Sequence, residues 1–103
     1  MITFRRARPS DRQAIENISK NIWRGNDYLP RIFDKWVKDE EGELTVGILN
    51  DEIVAVAKFT VMNQGEVWLE GIRVHEDYRG KGIAKDMTNY YIGKAKEMNA
   101  DLI

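Results

Sequence analysis

The hexapeptide Arg79-Gly80-Lys81-Gly82-Ile83-Ala84 packs two glycines and two cations between two patterned segments. Glycines remove the side chains that would hold a ligand away from the backbone, and they allow positive φ. If a helix starts here, its first amide N–H groups lack partners and its dipole favours an anion. Arg79, Lys81 and the following Lys85 add positive charge at the same place. The chemistry this pattern predicts is capture of a phosphate or pyrophosphate.

Two phosphate loops fail on their spacing. A Walker A loop requires glycine five residues before Gly80 and Ser or Thr after Lys81, and the chain has His75 and Gly82 there. A dinucleotide fingerprint requires its third glycine at Lys85 and a parallel strand upstream. The strands upstream of this loop read as antiparallel.

Other chemistries are bounded by composition. No cysteine is present, which removes disulfides, thiolate zinc sites and a cysteine nucleophile. His75 is the only histidine, so a multi-histidine metal site is excluded, a Ser-His-Asp triad is disfavoured and no metal is expected. With 16 basic and 17 acidic residues, the net charge of −1 argues against a nucleic-acid coat. No apolar run approaches the roughly 20 residues that span a bilayer, and MITFRRARPSD lacks the apolar core of a signal peptide. The expectation is a cytoplasmic protein with neither nucleic acid nor membrane as partner.

The elements that must position the loop follow from periodicity. The 103 residues suit one domain, 1–103. Ile2 to Ala7 alternates as a short strand. Pro9-Ser10-Asp11 stops it, and Ser10 with Gln13 has capping-box spacing ahead of a helix over about 10–23. A second helix carries Leu29, Ile32, Phe33, Trp36 and Val37 on one stripe, with Pro30 in its first turn. The charge run Lys38 to Glu41 reads as a solvated helix end.

From residue 43 the period becomes two. Leu44, Val46 and Ile48 alternate with polar residues, and Asn50-Asp51 predicts a tight hairpin. Ile53 to Val61 reads as a central buried strand, Asn63-Gln64-Gly65 as the next turn and Val67 to Val74 as a third antiparallel strand. After the glycine loop, Ile83, Met87, Tyr90, Tyr91, Lys94 and Met98 are spaced along a helix. Ala100 to Ile103 then begins a strand that a right-handed crossover would place parallel to its neighbour.

Arg79 to Ala84 matches at every specified position the R/Q-x-x-G-x-G/A acetyl-CoA signature of the GCN5-related N-acetyltransferase (GNAT) superfamily, and Ile72-Arg73-Val74-His75-Glu76-Asp77-Tyr78 resembles that family's approach to the loop. The order strand, two helices, three antiparallel strands, loop, helix, start of a fifth strand is also similar. This resemblance implies an α+β fold with a mixed sheet, lacking most of strand five and the elements beyond it. It implies that amides of Arg79, Gly80, Lys81, Gly82, Ile83 and Ala84 hold the pyrophosphate of coenzyme A. The backbone of Ile72, Arg73 and Val74 would pair with the pantetheine arm.

The implied reaction is direct attack of an amine on the acetyl thioester, without a covalent enzyme intermediate. Relatives often carry a glutamate on the fourth strand, which makes Glu70 the first candidate base and Glu66 the second. A strand-four amide would steady the thioester oxygen. His75 is a further basic group near the loop, and its ordinary reading is a surface histidine. Acceptor contacts would fall on Arg24, Asn26 and Tyr28. The stretch from Gly25 to Pro30, with Phe33 and Trp36, resembles the histidine N-acetyltransferase subgroup, hence an amino acid, small amine or protein amine as acceptor. The incomplete sheet edge implies a homo-oligomer, such as a dimer, and weak or absent catalysis from this chain alone. A coenzyme A-binding or interaction module without catalysis is the alternative.

Overall fold

The computed structural model describes residues 2–20, 29–63 and 65–102. Its elements are β1 (Thr3–Arg6), α1 (Arg12–Ser19), α2 (Leu29–Val37), β2 (Glu43–Leu49), β3 (Glu52–Asn63), β4 (Glu66–Val74), α3 (Ile83–Glu97) and β5 (Asp101–Leu102). The strands form one sheet in the order β1-β2-β3-β4-β5. The first four are antiparallel, and β5 lies parallel to β4 through Glu66↔Asp101 and Val67↔Leu102. This is the mixed α+β architecture expected from the sequence.

Two apolar clusters sandwich the sheet. On one face α1 and α2 bring Ile15, Ile18, Leu29, Phe33 and Trp36 against Leu44, Val46 and Val56. On the other, α3 presents Ile83, Met87, Tyr91 and Ala95, four residues apart and so in one row along the helix, to Ala55, Ala57, Phe59 and Val67. Met98, assigned by periodicity to that row, is 46% exposed because it caps the helix instead of continuing it. Polar bonds fix α3 in place. The Tyr91 hydroxyl donates to the Ala57 carbonyl at 3.0 Å, and Glu43 accepts from Tyr90 at 2.9 Å and pairs with Lys94 at 3.4 Å.

The tight hairpin after β2 has Asn50 and Asp51 at φ of 52° and 65°, the left-handed pair that such a two-residue turn requires. The N-terminus of α1 departs from the expected Ser10–Gln13 capping box. Pro9–Asp11 forms a 3-10 turn, and the Asp11 carboxylate accepts from the Arg8 amide at 2.7 Å. Arg5 adds bonds of 2.8 and 3.1 Å to the same carboxylate. Pro9, with its fixed φ, opens the turn early, and Arg5 draws the anion rather than the hydroxyl into the buried position.

The largest departure from plain alternation is in β4. Between the pairs Val56↔Arg73 and Lys58↔Glu70, Ala57 alone on β3 faces both Gly71 and Ile72 on β4. This is a β-bulge, and Gly71 sits in it at φ 66°. The extra residue switches the faces of the strand. Leu69, Ile72 and Val74 all pack with the α3 cluster, while Arg73 is buried with its Nη1 bonded to the Gly71 carbonyl at 2.6 Å.

Candidate functional site

The glycine loop joins β4 to α3 through a short turn whose bonds anchor it to β3. The His75 amide donates to the Val54 carbonyl at 2.8 Å, and the Tyr78 hydroxyl donates to Glu52 at 2.9 Å. His75 Nδ1 accepts from the Asp77 amide at 3.1 Å, and Arg79 Nε donates to the Val74 carbonyl at 3.1 Å. His75 therefore acts as the cap of the Glu76–Tyr78 turn, and it lines neither the loop's concavity nor the cleft at Glu70.

Gly80 and Gly82 both adopt φ 79°, and Gly82 is the N-cap of α3. A Cβ at either would meet no atom within 4 Å. Packing thus places no demand for glycine here; the left-handed backbone and open access to it do. The first turn of the helix closes with the Asp86 amide on the Gly82 carbonyl at 3.0 Å. The amides of Ile83, Ala84 and Lys85, ahead of Asp86, have no helix carbonyl one turn back and carry the positive end of the helix dipole, whereas the Arg79 amide donates to the Glu76 carbonyl at 3.5 Å.

Arg79, Lys81 and Lys85 are exposed around this bare turn, and Ile83 is buried beneath it as an anchor. Val74, Tyr78, Arg79, Gly80, Ile83 and Lys85 help line a concavity of about 170 Å³. Uncovered amides, cations and absent side chains together fit the pyrophosphate of coenzyme A. Ile72, Arg73 and Val74 lead from the bulge into the loop. The Arg73 side chain is committed inside, so at that position only the backbone can meet a ligand.

The two candidate glutamates separate clearly. Glu70, half-buried on the α1/α2 side of β4, lines a cleft of about 370 Å³ with Lys35, Trp36, Asp39, Lys58 and Thr60. Its Oε2 accepts from the Thr60 hydroxyl at 2.7 Å. Glu66 lies at the start of β4, paired across to Asn63 and Asp101, and does not line that cleft. Arg24, Asn26 and Tyr28 lie outside the described residues.

Periodicity alone missed a polar network beside Glu70. Lys58 is 1% exposed, and its Nζ bonds Asp39 Oδ2 at 2.6 Å, Thr60 Oγ1 at 3.0 Å and the Phe59 carbonyl at 3.1 Å. Asp39 also accepts from the amides of Glu41 and Gly42 at 3.1 and 3.2 Å. Burial pushes the Asp39 carboxyl up, but the Lys58 bond, those amides and the Lys58 charge together hold it below the usual carboxylate range. Lys38, Glu40 and Glu41 of the charge run are exposed, as a solvated helix end would be, whereas Asp39, its side chain 31% exposed, turns inward to pair with buried Lys58. One signal was available: a lone lysine in the otherwise apolar run Ile53 to Phe59.

Among the described residues, no group of three or more His, Cys, Asp or Glu side chains could hold a metal ion. No helix among them is long and apolar enough to cross a membrane.

Residues 12–103 match the Acetyltransferase (GNAT) family. A histidine N-acetyltransferase of Oreochromis niloticus is 32% identical over 84 residues, which cover 81% of this chain and 25% of that protein. A probable N-acetyltransferase 16 of Homo sapiens is 37% identical over 68 residues, or 65% of this chain and 18% of that one. The chain thus spans about a quarter or less of the length of these relatives. A GNAT family acetyltransferase from Brucella melitensis, solved in complex with acetyl-CoA, superposes with a TM-score of 0.73 at 17% identity. That alignment covers 97% of this chain and 71% of the other, a likeness of fold.

Proposed function

Because the chain belongs to the GNAT acetyltransferase family, whose members use acetyl-CoA, we propose that it transfers an acetyl group to the primary amine of a free amino acid or similar small amine. The observation that carries this reading is the loop. Two left-handed glycines open the first turn of α3 where Arg79, Lys81 and Lys85 cluster, and a Cβ at either glycine would meet only open space.

Acetyl-CoA supplies an activated thioester. Amides from Arg79 to Ala84 bind its pyrophosphate, with the exposed cations adding charge-assisted contacts. The backbone of Ile72 to Val74 pairs with the pantetheine arm as an added strand would. Glu70 removes a proton from the substrate ammonium, freeing the nitrogen lone pair for attack; as the C–N bond forms the thioester C–S bond breaks, and the leaving thiolate takes a second proton from the acylated nitrogen. An amide of the Gly71–Ile72 bulge donates to the carbonyl oxygen under attack. The acceptor class rests on likeness to the histidine N-acetyltransferase of Oreochromis niloticus. The cleft at Glu70 supports it by placing a carboxylate beside Lys35 and Trp36, partners for a zwitterion with an apolar or aromatic side chain.

The test is thiol release from acetyl-CoA in the presence of a panel of free amino acids including histidine, with a peptide amine for comparison. The expected result is release dependent on a free amino acid, reduced at least a hundredfold in Glu70→Gln, the lower range for loss of a positioned base. Binding of acetyl-CoA without release for any amine contradicts the catalytic reading and favours a binding module.

A further inference from the structure

Resting on Glu70 as the base, the geometry points to Lys58 as a positioning residue that acts through Thr60 to aim the Glu70 carboxylate. A buried ammonium is a poor choice for stability alone, because its desolvation is costly even when paired and an apolar side chain of similar volume often does as well. Yet Lys58 sits on the same face of β3 as the core residue Val56, is 1% exposed, and lies 6.0 Å from the Trp36 ring.

The direction of its hydrogen bonds decides what it does. An ammonium has three donors and no acceptor, and Lys58 directs them at Asp39, Thr60 and the Phe59 carbonyl. The Thr60 oxygen must therefore accept from Lys58. Its single hydrogen is then left to donate, and Glu70 Oε2 lies 2.7 Å away. A threonine hydroxyl alone could rotate either way; next to Lys58 it has one orientation.

Among the described residues Glu70 is thereby held through Oε2, and Oε1 receives the proton of the incoming ammonium. In that transfer the substrate N–H bond breaks, an O–H bond forms at Oε1, and the lone pair stays on nitrogen. Asp39 supplies the direct counter-charge to Lys58 at 2.6 Å, so the cation steers Glu70 through a neutral hydroxyl instead of pairing with it. Gly42 lets the backbone lie close to β3, since a Cβ there would collide first with the Phe59 carbonyl oxygen and would also lie 2.9 Å from Asp39 Oδ2 and 3.0 Å from Lys58 Nζ.

The experiment uses the full chain and two readouts. Thr60→Val, nearly isosteric, should lower kcat about tenfold with the KM for acetyl-CoA unchanged, the scale of one lost hydrogen bond. Thr60→Ser should restore it. In a Glu70→Gln background Thr60→Val should add no further loss. Independently of turnover, the ¹³C resonance of the Glu70 side-chain carboxyl at pH 7 should move in Thr60→Val and Lys58→Met and return in Thr60→Ser. Unchanged kcat in Thr60→Val while Glu70→Gln is inactive, or an unmoved carboxyl resonance, overturns the inference. Full activity in Glu70→Gln overturns the underlying assignment of the base. A purely structural role predicts lower melting temperatures with kcat and the carboxyl resonance unaltered.

Discussion

The Arg73 guanidinium folds back two residues along its own strand and donates to the Gly71 carbonyl at 2.6 Å, pinning the β4 bulge. A Cβ on Gly71 would lie 2.5 Å from Arg73 Nη1, at a φ of 66°. Gly71→Ala is therefore expected to destabilise the fold by about 2–3 kcal/mol, combining left-handed strain with displacement of the arginine. Urea unfolding of the two proteins measures the difference.

At the glycine loop the larger effect should fall on ligand affinity and the smaller on stability. A side chain at Gly82 meets no neighbour within 4 Å, so Gly82→Ala is expected to cost only about 1 kcal/mol of stability, from its φ. Acetyl-CoA affinity should nevertheless fall about tenfold or more, because the methyl group obstructs the bare amides. Calorimetric titration alongside thermal melting separates the two effects.

Two aspartates shape the acid limb of stability. Burial pushes the Asp11 carboxyl up, but the Arg5 bond, the Arg8 amide and the charges of Arg5 and Arg8 hold it below its ordinary value. Asp39 is likewise depressed. A carboxyl whose folded pKa is lowered stabilises the fold above its unfolded value of about 3.9 and loses that contribution as pH falls through the folded value. Stability should drop from roughly pH 4 downward, and Asp11→Asn should lower the plateau at pH 7 while flattening that drop. Chemical denaturation across pH 2–7 reads both slopes.

The tyrosines shape the alkaline limb. Burial, aided at Tyr90 by its bond to Glu43, raises both Tyr90 and Tyr91 well above the ordinary phenol range. Raised pKa values contribute stability that is complete below the unfolded value of about 10 and is lost as pH rises further. Absorbance at the phenolate band should show these two tyrosines ionising only as the protein unfolds, whereas simple titration of all tyrosines near pH 10 in the folded state contradicts the packing of α3.

Much of this was legible in the sequence because period and punctuation agree. The β2–β3 hairpin announced itself as Asn50-Asp51 between alternating apolar residues, and the α3 loop as glycines at a strand-to-helix junction. The misses share a different cause. Gly71, Lys58 and Asp39 each act through a partner on another strand or loop, and a one-dimensional pattern carries no pairing. An isolated glycine within a strand does hint at a bulge, but the switch of faces that buries Arg73 beside it appears only once β3 is aligned. The same holds for Asp11, chosen over Ser10 because Arg5 lies next to it in the fold.

Binding of coenzyme A at the Arg79–Ala84 turn can be read residue by residue from ¹H–¹⁵N spectra recorded during titration with acetyl-CoA. Saturable shifts are expected, largest at the amides of residues 79–84 and next at Ile72 to Val74. An absence of shifts at saturating acetyl-CoA, or shifts confined to residues away from β4 and the start of α3, would contradict it.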